Sequence, residues 1–226
     1  MAANVTFHPF DDREQLASAL AQDVAARLQR AEVKTLGVTG GTTPTPFFDA
    51  LKPLIADLPV TVTLTDERWV APPHPDSNEK LVRDHLLTPA MRFIPLKSPG
   101  ALEEGAAETE KRLAALPLPF AALVLGMGED GHIASLFPNH PALADALDLS
   151  DPRRSIPVHA SPKPPPERIS LTLSCLGQSL AAYLHITGAA KREVIERALR
   201  PGPVAELPVR AFLQQQSVPF AIYWAP

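Results

Sequence analysis

Short apolar segments alternate with helix-like segments along most of the 226 residues, and this alternation restricts the chain to a small group of folds. The apolar segments have the length and the β-branched content of buried strands, while the intervening segments carry apolar residues at helical spacing. Strands that alternate with helices in this way form a mostly parallel sheet with helices on its faces. The sequence therefore predicts an α/β fold, a single Rossmann-like layered domain over residues 1–226.

Local patterns predict the individual elements. The spacing Asp11-x-x-Glu14 resembles a helix capping box, and an apolar residue then recurs at every fourth position as far as Leu28. Strands are predicted at residues 34–38, 60–64, 120–125, 156–159, 169–173, 181–186 and 220–224. Further helices are predicted from 42–44 to about 51, and at 78–87 with Ser77 as N-cap, 102–116, 133–137 and 191–199. The proline cluster at 162–166 is interpreted as a surface loop.

Composition excludes several classes of protein. The chain is 45% hydrophobic and 20% charged, as is ordinary for a packed globular protein, and 21 Lys and Arg against 25 Asp and Glu leave no basic footprint for nucleic acid. The single cysteine, Cys175, rules out a disulfide within the chain, and the histidines lack metal-ligand spacing, so no metal site is expected. With no signal-like start and no long apolar run, we expect a cytoplasmic protein without membrane contact, a monomer or a weak dimer.

The run that follows the strand at 120–125 has the composition of an active-site corner. It combines three glycines with two carboxylates and an imidazole: Gly126, Gly128, Gly131, Glu129, Asp130 and His132. Glycine lets the backbone turn sharply and approach a ligand, and imidazole exchanges protons near neutral pH. We predict His132 as a general base. A helix starting at Gly131 would favour the neutral ring, and Asp130 would either oppose that shift or orient the ring; the net sign stays open.

Two other interpretations of this run compete with an active site. Gly126-x-Gly128-x-x-Gly131 after a strand matches the dinucleotide-binding fingerprint, with Asp148 at about the right distance for the ribose acid. However, Glu129 and Asp130 would repel a pyrophosphate in that turn. A purely structural turn capped by Asp130 explains the glycines but gives His132 no role.

A second glycine-containing loop predicts a phosphate site. Gly40, Gly41, Thr42 and Thr43 follow a strand and precede a helix, where free backbone N–H groups and two hydroxyls attract an anion. The loop lacks the Gly-Lys-Ser/Thr ending of a nucleotide P-loop, so a single phosphoryl group fits it better than a triphosphate. The alternative is a plain N-cap by Thr43.

Cationic residues at other strand ends complete the candidate site. Arg68 follows Asp66 and Glu67 at the end of a buried strand, where it is either a surface ion pair or a group that orients an anion or a carbonyl. Lys191 lies at a predicted helix start after Gly188, and Arg168 introduces the strand at 169–173. Ligands of open parallel sheets bind beyond the carboxyl ends of the strands, so these groups are expected to converge there.

The order of these motifs resembles the 6-phosphogluconolactonase family. The resemblance covers the chain from about residue 37 to its end and rests on the following segments: Gly40-Gly41-Thr42-Thr43-Pro44, Thr65-Asp66-Glu67-Arg68-Trp69-Val70, Ser77-Asn78, the run 125–138, Arg168-Ile169-Ser170-Leu171-Thr172 and Thr187-Gly188-x-x-Lys191. It implies hydrolysis of a sugar-phosphate lactone without a cofactor. The implied catalytic residues are His132, Asp130 and Arg68; the implied substrate-binding residues are Gly40, Gly41, Thr42, Thr43, Asp66, Arg168 and Lys191.

Two related functions compete with this one. Glucosamine-6-phosphate deaminases, in the same superfamily, carry a catalytic glutamate shortly after the Asp-Gly-His-Ile-Ala motif, where this chain has Phe137, and tend to carry tyrosine where it has Arg68. A non-catalytic sugar-phosphate effector domain would normally accompany a DNA-binding helix-turn-helix, for which this acidic chain has no spare segment.

Overall fold

The computed structural model describes residues 4–226, and ten strands and eight helices occur in that range. The strands are β1 (Val5–Pro9), β2 (Thr35–Val38), β3 (Thr61–Leu64), β4 (Asp66–Arg68), β5 (Arg92–Ile94), β6 (Ala122–Leu125), β7 (Ser155–Val158), β8 (Arg168–Leu171), β9 (Ala182–Thr187) and β10 (Phe220–Ala225). The helices are α1 (Arg13–Arg30), α2 (Thr45–Ile55), α3 (Asn78–His85), α4 (Leu102–Leu113), α5 (Leu143–Leu147), α6 (Leu173–Leu176), α7 (Ala189–Ala198) and α8 (Arg210–Gln214).

Seven strands form one parallel sheet in the order β1-β10-β9-β6-β2-β3-β5. Its central strands are buried along their whole length, as parallel strands covered on both faces must be. Helix α1 packs on α2, and α2 packs on α3. The chain crosses the sheet in one direction through α1, α2 and α3 and returns through α4 and α7, so the rule that crossovers are right-handed assigns these two sets of helices to opposite faces. The predicted α/β fold with a mostly parallel sheet flanked by helices is confirmed.

A second sheet, which the sequence did not predict, lies beside the first. Its three antiparallel strands have the order β4-β8-β7, so the strands predicted at 156–159 and 169–173 leave the main sheet. This small sheet pairs Arg68 directly with Arg168 and Asp66 with Ser170. It carries two of the predicted cationic groups to the rim of the main sheet.

Three local predictions were wrong. Residues 133–137 are a tight loop and not a helix, with Ala134 at φ 48°. The strand predicted at 169–173 ends at Leu171, because Thr172 accepts a hydrogen bond from the amide of Cys175 and caps the short helix α6. The first helix is capped by Asp12, which accepts from the amide of Gln15, so the capping residue is one position later than predicted.

Burial of apolar side chains on both faces of the sheet joins the layers. Phe120, at the entrance of β6, is fully buried and lies beside Gly37 of β2, where a Cβ would come within 3.1 Å of the phenyl ring. Among residues 4–226, none of the helices has the length and apolar composition that crossing a membrane requires.

Replacing Phe120 by alanine should therefore open a cavity between the central strands. We expect the free energy of unfolding to fall by about 3–5 kcal/mol, measured by urea denaturation. Leu54→Ala is the matched control: this side chain is 42% exposed, so its loss should change stability by about 0.5 kcal/mol or less. Equal losses for the two variants would contradict the assignment of Phe120 to the core.

Candidate active site

Three loops meet at the carboxyl edge of the main sheet. They follow β2, β6 and β9, which are neighbours in the order β9-β6-β2, so the loops that begin at Thr39, Gly126 and Gly188 lie side by side. A cavity of about 510 Å³ opens between them, a size typical of small-molecule sites. Its lining includes Gly40, Gly41, Thr42, Thr43, Asp66, Arg68, His132, Arg168 and Lys191. Every predicted site residue lines this one cavity except Asp130, which is bonded to the His132 ring.

The loop at residues 40–43 presents unpaired backbone donors to the cavity. Their amide groups donate to no other residue in the range 4–226. Helix α2 begins at Thr45 with Pro44 as N-cap and has no side-chain cap, so Thr43 does not cap it. Gly40 is required because a Cβ there would lie 1.9 Å from Oδ1 of Asn78. Uncapped helix amides beside a glycine loop are an arrangement that can bind an anion.

His132 and Asp130 form a hydrogen-bonded pair at the cavity wall. The Nδ1 atom of His132 lies 2.5 Å from Oδ1 of Asp130, and the His132 amide donates to the same oxygen at 3.3 Å. Gly128 makes room for the pair, since a Cβ at this position would lie 2.2 Å from the imidazole. Partial burial acts to raise the pKa of Asp130, but the His132 hydrogen bonds and Lys163 lower it to about 2. The carboxylate therefore stays ionised and fixes the ring.

The backbone around this pair is a closed turn. The Gly128 amide donates to the carbonyl of His132, and the Gly131 amide donates to the carbonyl of Gly128. Because no helix starts at Gly131, the expected helix dipole does not act on His132. The dinucleotide fingerprint also lacks the helix that it requires after its third glycine.

Arg68 and Arg168 face the cavity from the paired strands β4 and β8, with different numbers of free donors. Arg68 uses Nη1 to bond the carbonyl of Asp76 at 2.6 Å and forms no ion pair with Asp66 or Glu67. The Arg168 guanidinium is buried, and two of its nitrogens hold the carbonyls of residues 163–165. Burial lowers the pKa of Arg168, and Asp66, 3.8 Å away, opposes that shift. The Arg68 guanidinium therefore donates fewer hydrogen bonds to the protein than that of Arg168.

The two acids before Arg68 contact other residues around the cavity. Asp66 accepts from the hydroxyl of Ser135 at 2.6 Å and lies behind Arg168. Glu67 is fully buried and accepts from the amides of Arg68, Asn78 and Glu79. Burial raises the pKa of Glu67 to about 7, although these amide donors act to lower it. Glu67 therefore anchors the start of α3, whose first residue, Asn78, packs against the Gly40 loop.

Lysines enter the cavity from two sides. Lys191 lies in the first turn of α7, as predicted, and burial lowers the pKa of its ammonium against the effect of Glu129. Lys163 was not predicted, because it lies within a proline cluster that looked like an ordinary surface loop. Its Nζ lies 3.8 Å from Oδ2 of Asp130. The sequence signal was its position five residues before Arg168.

His185 also lines the cavity, although no sequence pattern predicted a role for it. His185 is buried. The sequence signal that could have indicated its role is a histidine two positions before the end of the apolar strand β9. Four cationic side chains thus line the cavity of a chain with net charge −4: Arg68, Lys163, Arg168 and Lys191. Within residues 4–226, no three His, Cys, Asp or Glu side chains are arranged to hold a metal ion.

Comparison with known proteins agrees with this geometry. Residues 11–224 match the family model described as glucosamine-6-phosphate isomerases/6-phosphogluconolactonase. The chain belongs to this family. Proteins named 6-phosphogluconolactonase from Rhizobium meliloti (strain 1021) and Pseudomonas aeruginosa are 43% and 41% identical to it, with 100% of this chain and 100% and 97% of those proteins covered. The resemblance recognised in the sequence is confirmed.

Two solved structures share the whole fold of this chain. A 6-phosphogluconolactonase from Shewanella baltica OS155 superposes with a TM-score of 0.93 at 35% identity, and each chain is covered completely. A monomeric glucosamine-6-phosphate deaminase superposes with a TM-score of 0.80 at 18% identity, with 97% of each chain covered. This second likeness concerns the fold alone.

The Asp130–His132 pair generates a prediction about pH. The folded pKa of Asp130 is below its ordinary 3.8, so the stability contributed by the ionised carboxylate is complete above that value and is lost as pH falls toward 2. In His132→Ala, the titration midpoint of Asp130 should rise, because the side-chain hydrogen bond from His132, the strongest interaction that lowers the Asp130 pKa, is removed. Lys163→Ala is the matched comparison and should raise it less. Carbon-13 NMR of the Asp130 carboxyl measures all three midpoints; an unchanged midpoint in His132→Ala would contradict the pairing.

Proposed function

We propose that this protein hydrolyses 6-phospho-D-glucono-1,5-lactone to 6-phospho-D-gluconate, and that residues 1–226 act as one lactonase domain. The observation that carries the proposal is the joint presence, in one cavity, of a carboxylate-bound imidazole and an uncapped anion loop. Full-length likeness to proteins named 6-phosphogluconolactonase supports the same substrate class. We expect the enzyme to act in the cytoplasm, as a monomer or weak dimer, without cofactor, metal or nucleic acid.

In this mechanism, the phosphate of the substrate is the group that anchors it in the cavity. The amides and hydroxyls of residues 40–43 hold its oxygens, and the positive charges of Lys191 and Arg168 neutralise its charge. Binding energy at this remote group orients the lactone, so that its C1 carbonyl faces His132. Asp66 contributes indirectly, because its carboxylate lies against Arg168 and Ser135.

His132 supplies the proton transfers. With Nδ1 bonded to Asp130, Nε2 is the ring nitrogen available to a water molecule. Nε2 takes a proton from water as the water oxygen bonds to C1, and a tetrahedral oxyanion forms. The imidazolium then returns the proton to the ring oxygen as the C1–O bond breaks, and the open-chain acid results. Such acid–base catalysis typically contributes ~10²–10⁴-fold.

Arg68 and backbone amides stabilise the oxyanion in this scheme. The amides of Gly128 and Gly131 are already used within the turn, so among the turn residues that line the cavity the amides of Gly126, Met127 and Glu129 remain as donors. Arg68 lines the same cavity with one bond to a backbone carbonyl. Preorganised donors of this kind often provide the largest single share of the rate acceleration.

The competing deaminase function is disfavoured by Phe137. This side chain is 1% exposed, and its ring centroid lies 4.6 Å from that of His132. The resemblance places the deaminase glutamate at this position. A phenyl ring cannot take part in the proton transfers that ring opening and deamination need.

An assay with freshly prepared lactone tests the proposal. The purified protein should accelerate hydrolysis over spontaneous opening, with full activity after treatment with EDTA. Glucosamine-6-phosphate is the parallel substrate and should release no ammonia. Ammonia release without lactone hydrolysis would establish the deaminase, and acceleration of neither reaction would refute both functions.

Two substitutions should change different kinetic parameters, one kcat and the other KM. His132→Ala removes the base, so kcat should fall by ~10²–10⁴-fold while KM stays nearly constant. Lys191→Ala removes a cation that serves the phosphate, so KM should rise at least ~10-fold with a much smaller change in kcat. Steady-state kinetics on the lactone measures both. Full activity of His132→Ala would show that another group activates water, even if the substrate is correct.

A further inference from the structure

His185 lines the cavity and contacts the helix that follows the loop at residues 40–43. It belongs to β9, two residues before the strand ends, and its side chain is 3% exposed. Its ring meets the edge of Phe47, in the first turn of α2, with centroids 6.0 Å apart and planes at 73°. The residue therefore sits between the strand that leads to Lys191 and the helix that follows Gly40–Thr43.

Both ring nitrogens of His185 lack protein partners. Nδ1 is sealed from solvent and makes no hydrogen bond to any residue in the range 4–226. Nε2 also has no partner in that range but is not sealed, so it is the nitrogen that faces the cavity. Buried polar groups in folded proteins are nearly always hydrogen-bonded, so a ring nitrogen that faces a binding cavity without a protein partner is a position where a ligand can complete the bond.

The charge around His185 identifies the ligand group. Burial and the nearby Lys191 lower the pKa of His185 to about 4, so the imidazole is neutral at physiological pH. With the proton on Nε2, the ring buries only a lone pair at Nδ1 and directs a donor into the cavity. A group that accepts from this donor and also pairs with Lys191 is an anion with several oxygens.

We propose that Nε2–H of His185 donates a hydrogen bond to the phosphoryl group of the bound substrate and makes the enzyme prefer phosphorylated over unphosphorylated lactone. This proposal rests on the proposed function, because it assigns a further ligand contact at the same site. His185 takes no part in proton transfer. Its effect is on binding, and it complements the charge of Lys191 with a directional contact.

Two variants distinguish the effect of the hydrogen-bond donor of His185 from the effect of its planar ring. His185→Phe keeps a planar ring without a donor, and His185→Gln keeps an N–H near the position of Nε2. His185→Phe should raise KM for 6-phosphogluconolactone ~10-fold or more, with kcat changed less than about threefold, whereas His185→Gln should stay within about threefold of the parent in KM. His159→Phe is the control, because His159 is exposed and bonds Glu103 outside the cavity.

The unphosphorylated lactone gives the readout that a merely structural role would not produce. For glucono-1,5-lactone, His185→Phe should keep the parent kcat/KM within about threefold. Equal losses on the two lactones, or an unchanged KM for the phosphorylated one, would overturn the proposal.

A measurement on the unaltered protein covers the case in which a variant does not fold. In nitrogen-15 NMR of histidine-labelled protein, 6-phosphogluconate should shift the Nε2 signal of His185, and inorganic phosphate should shift it in the same direction. An unmoved signal at saturation would overturn the contact. If the protein has no lactonase activity, the proposed function fails, but the phosphate titration still decides whether His185 binds a phosphoryl group.

Discussion

The site depends on the parallel alignment of β9, β6 and β2. Neighbouring parallel strands end at the same edge, so three glycine-containing loops that are far apart in sequence share one cavity. No ion pair or single contact could replace this alignment, because each loop takes its position from a buried strand whose backbone groups are already paired. The core side chains around Phe120 therefore support the strands that position the loop at residues 40–43 and the His132 imidazole.

The small antiparallel sheet adds what the main sheet cannot provide. It pairs Arg68 with Arg168 across two strands, and the neighbouring acids Asp66 and Glu67 make different contacts. Glu67 fastens the start of α3, and Asp66 lies behind Arg168. The acids next to Arg68 therefore serve mainly to position other groups, which is compatible with the proposed binding of an anion beside them.

The sequence predicted the main sheet and nearly all of the cavity because both depend on local patterns. Apolar runs that end in glycine specify β2, β6 and β9, and the polar residues just after them have to lie at one edge. Edge strands such as β1 were missed because β1 pairs with β10, more than 200 residues away. The helix expected at 133–137 was wrong because Ser135 bonds Asp66 and Ser170, contacts that only the fold creates. Lys163 and His185 were missed for the same reason, since neither belongs to a local motif.

A crystal structure with 6-phosphogluconate bound would show how the cavity orients its ligand. We expect phosphate oxygens within hydrogen-bond distance of the amides of residues 40–43 and of Lys191, and the C1 carboxylate beside Nε2 of His132. A ligand bound with its phosphate at His132, or with C1 turned away from that ring, would contradict the claim that the phosphate anchors the lactone for attack by imidazole-activated water.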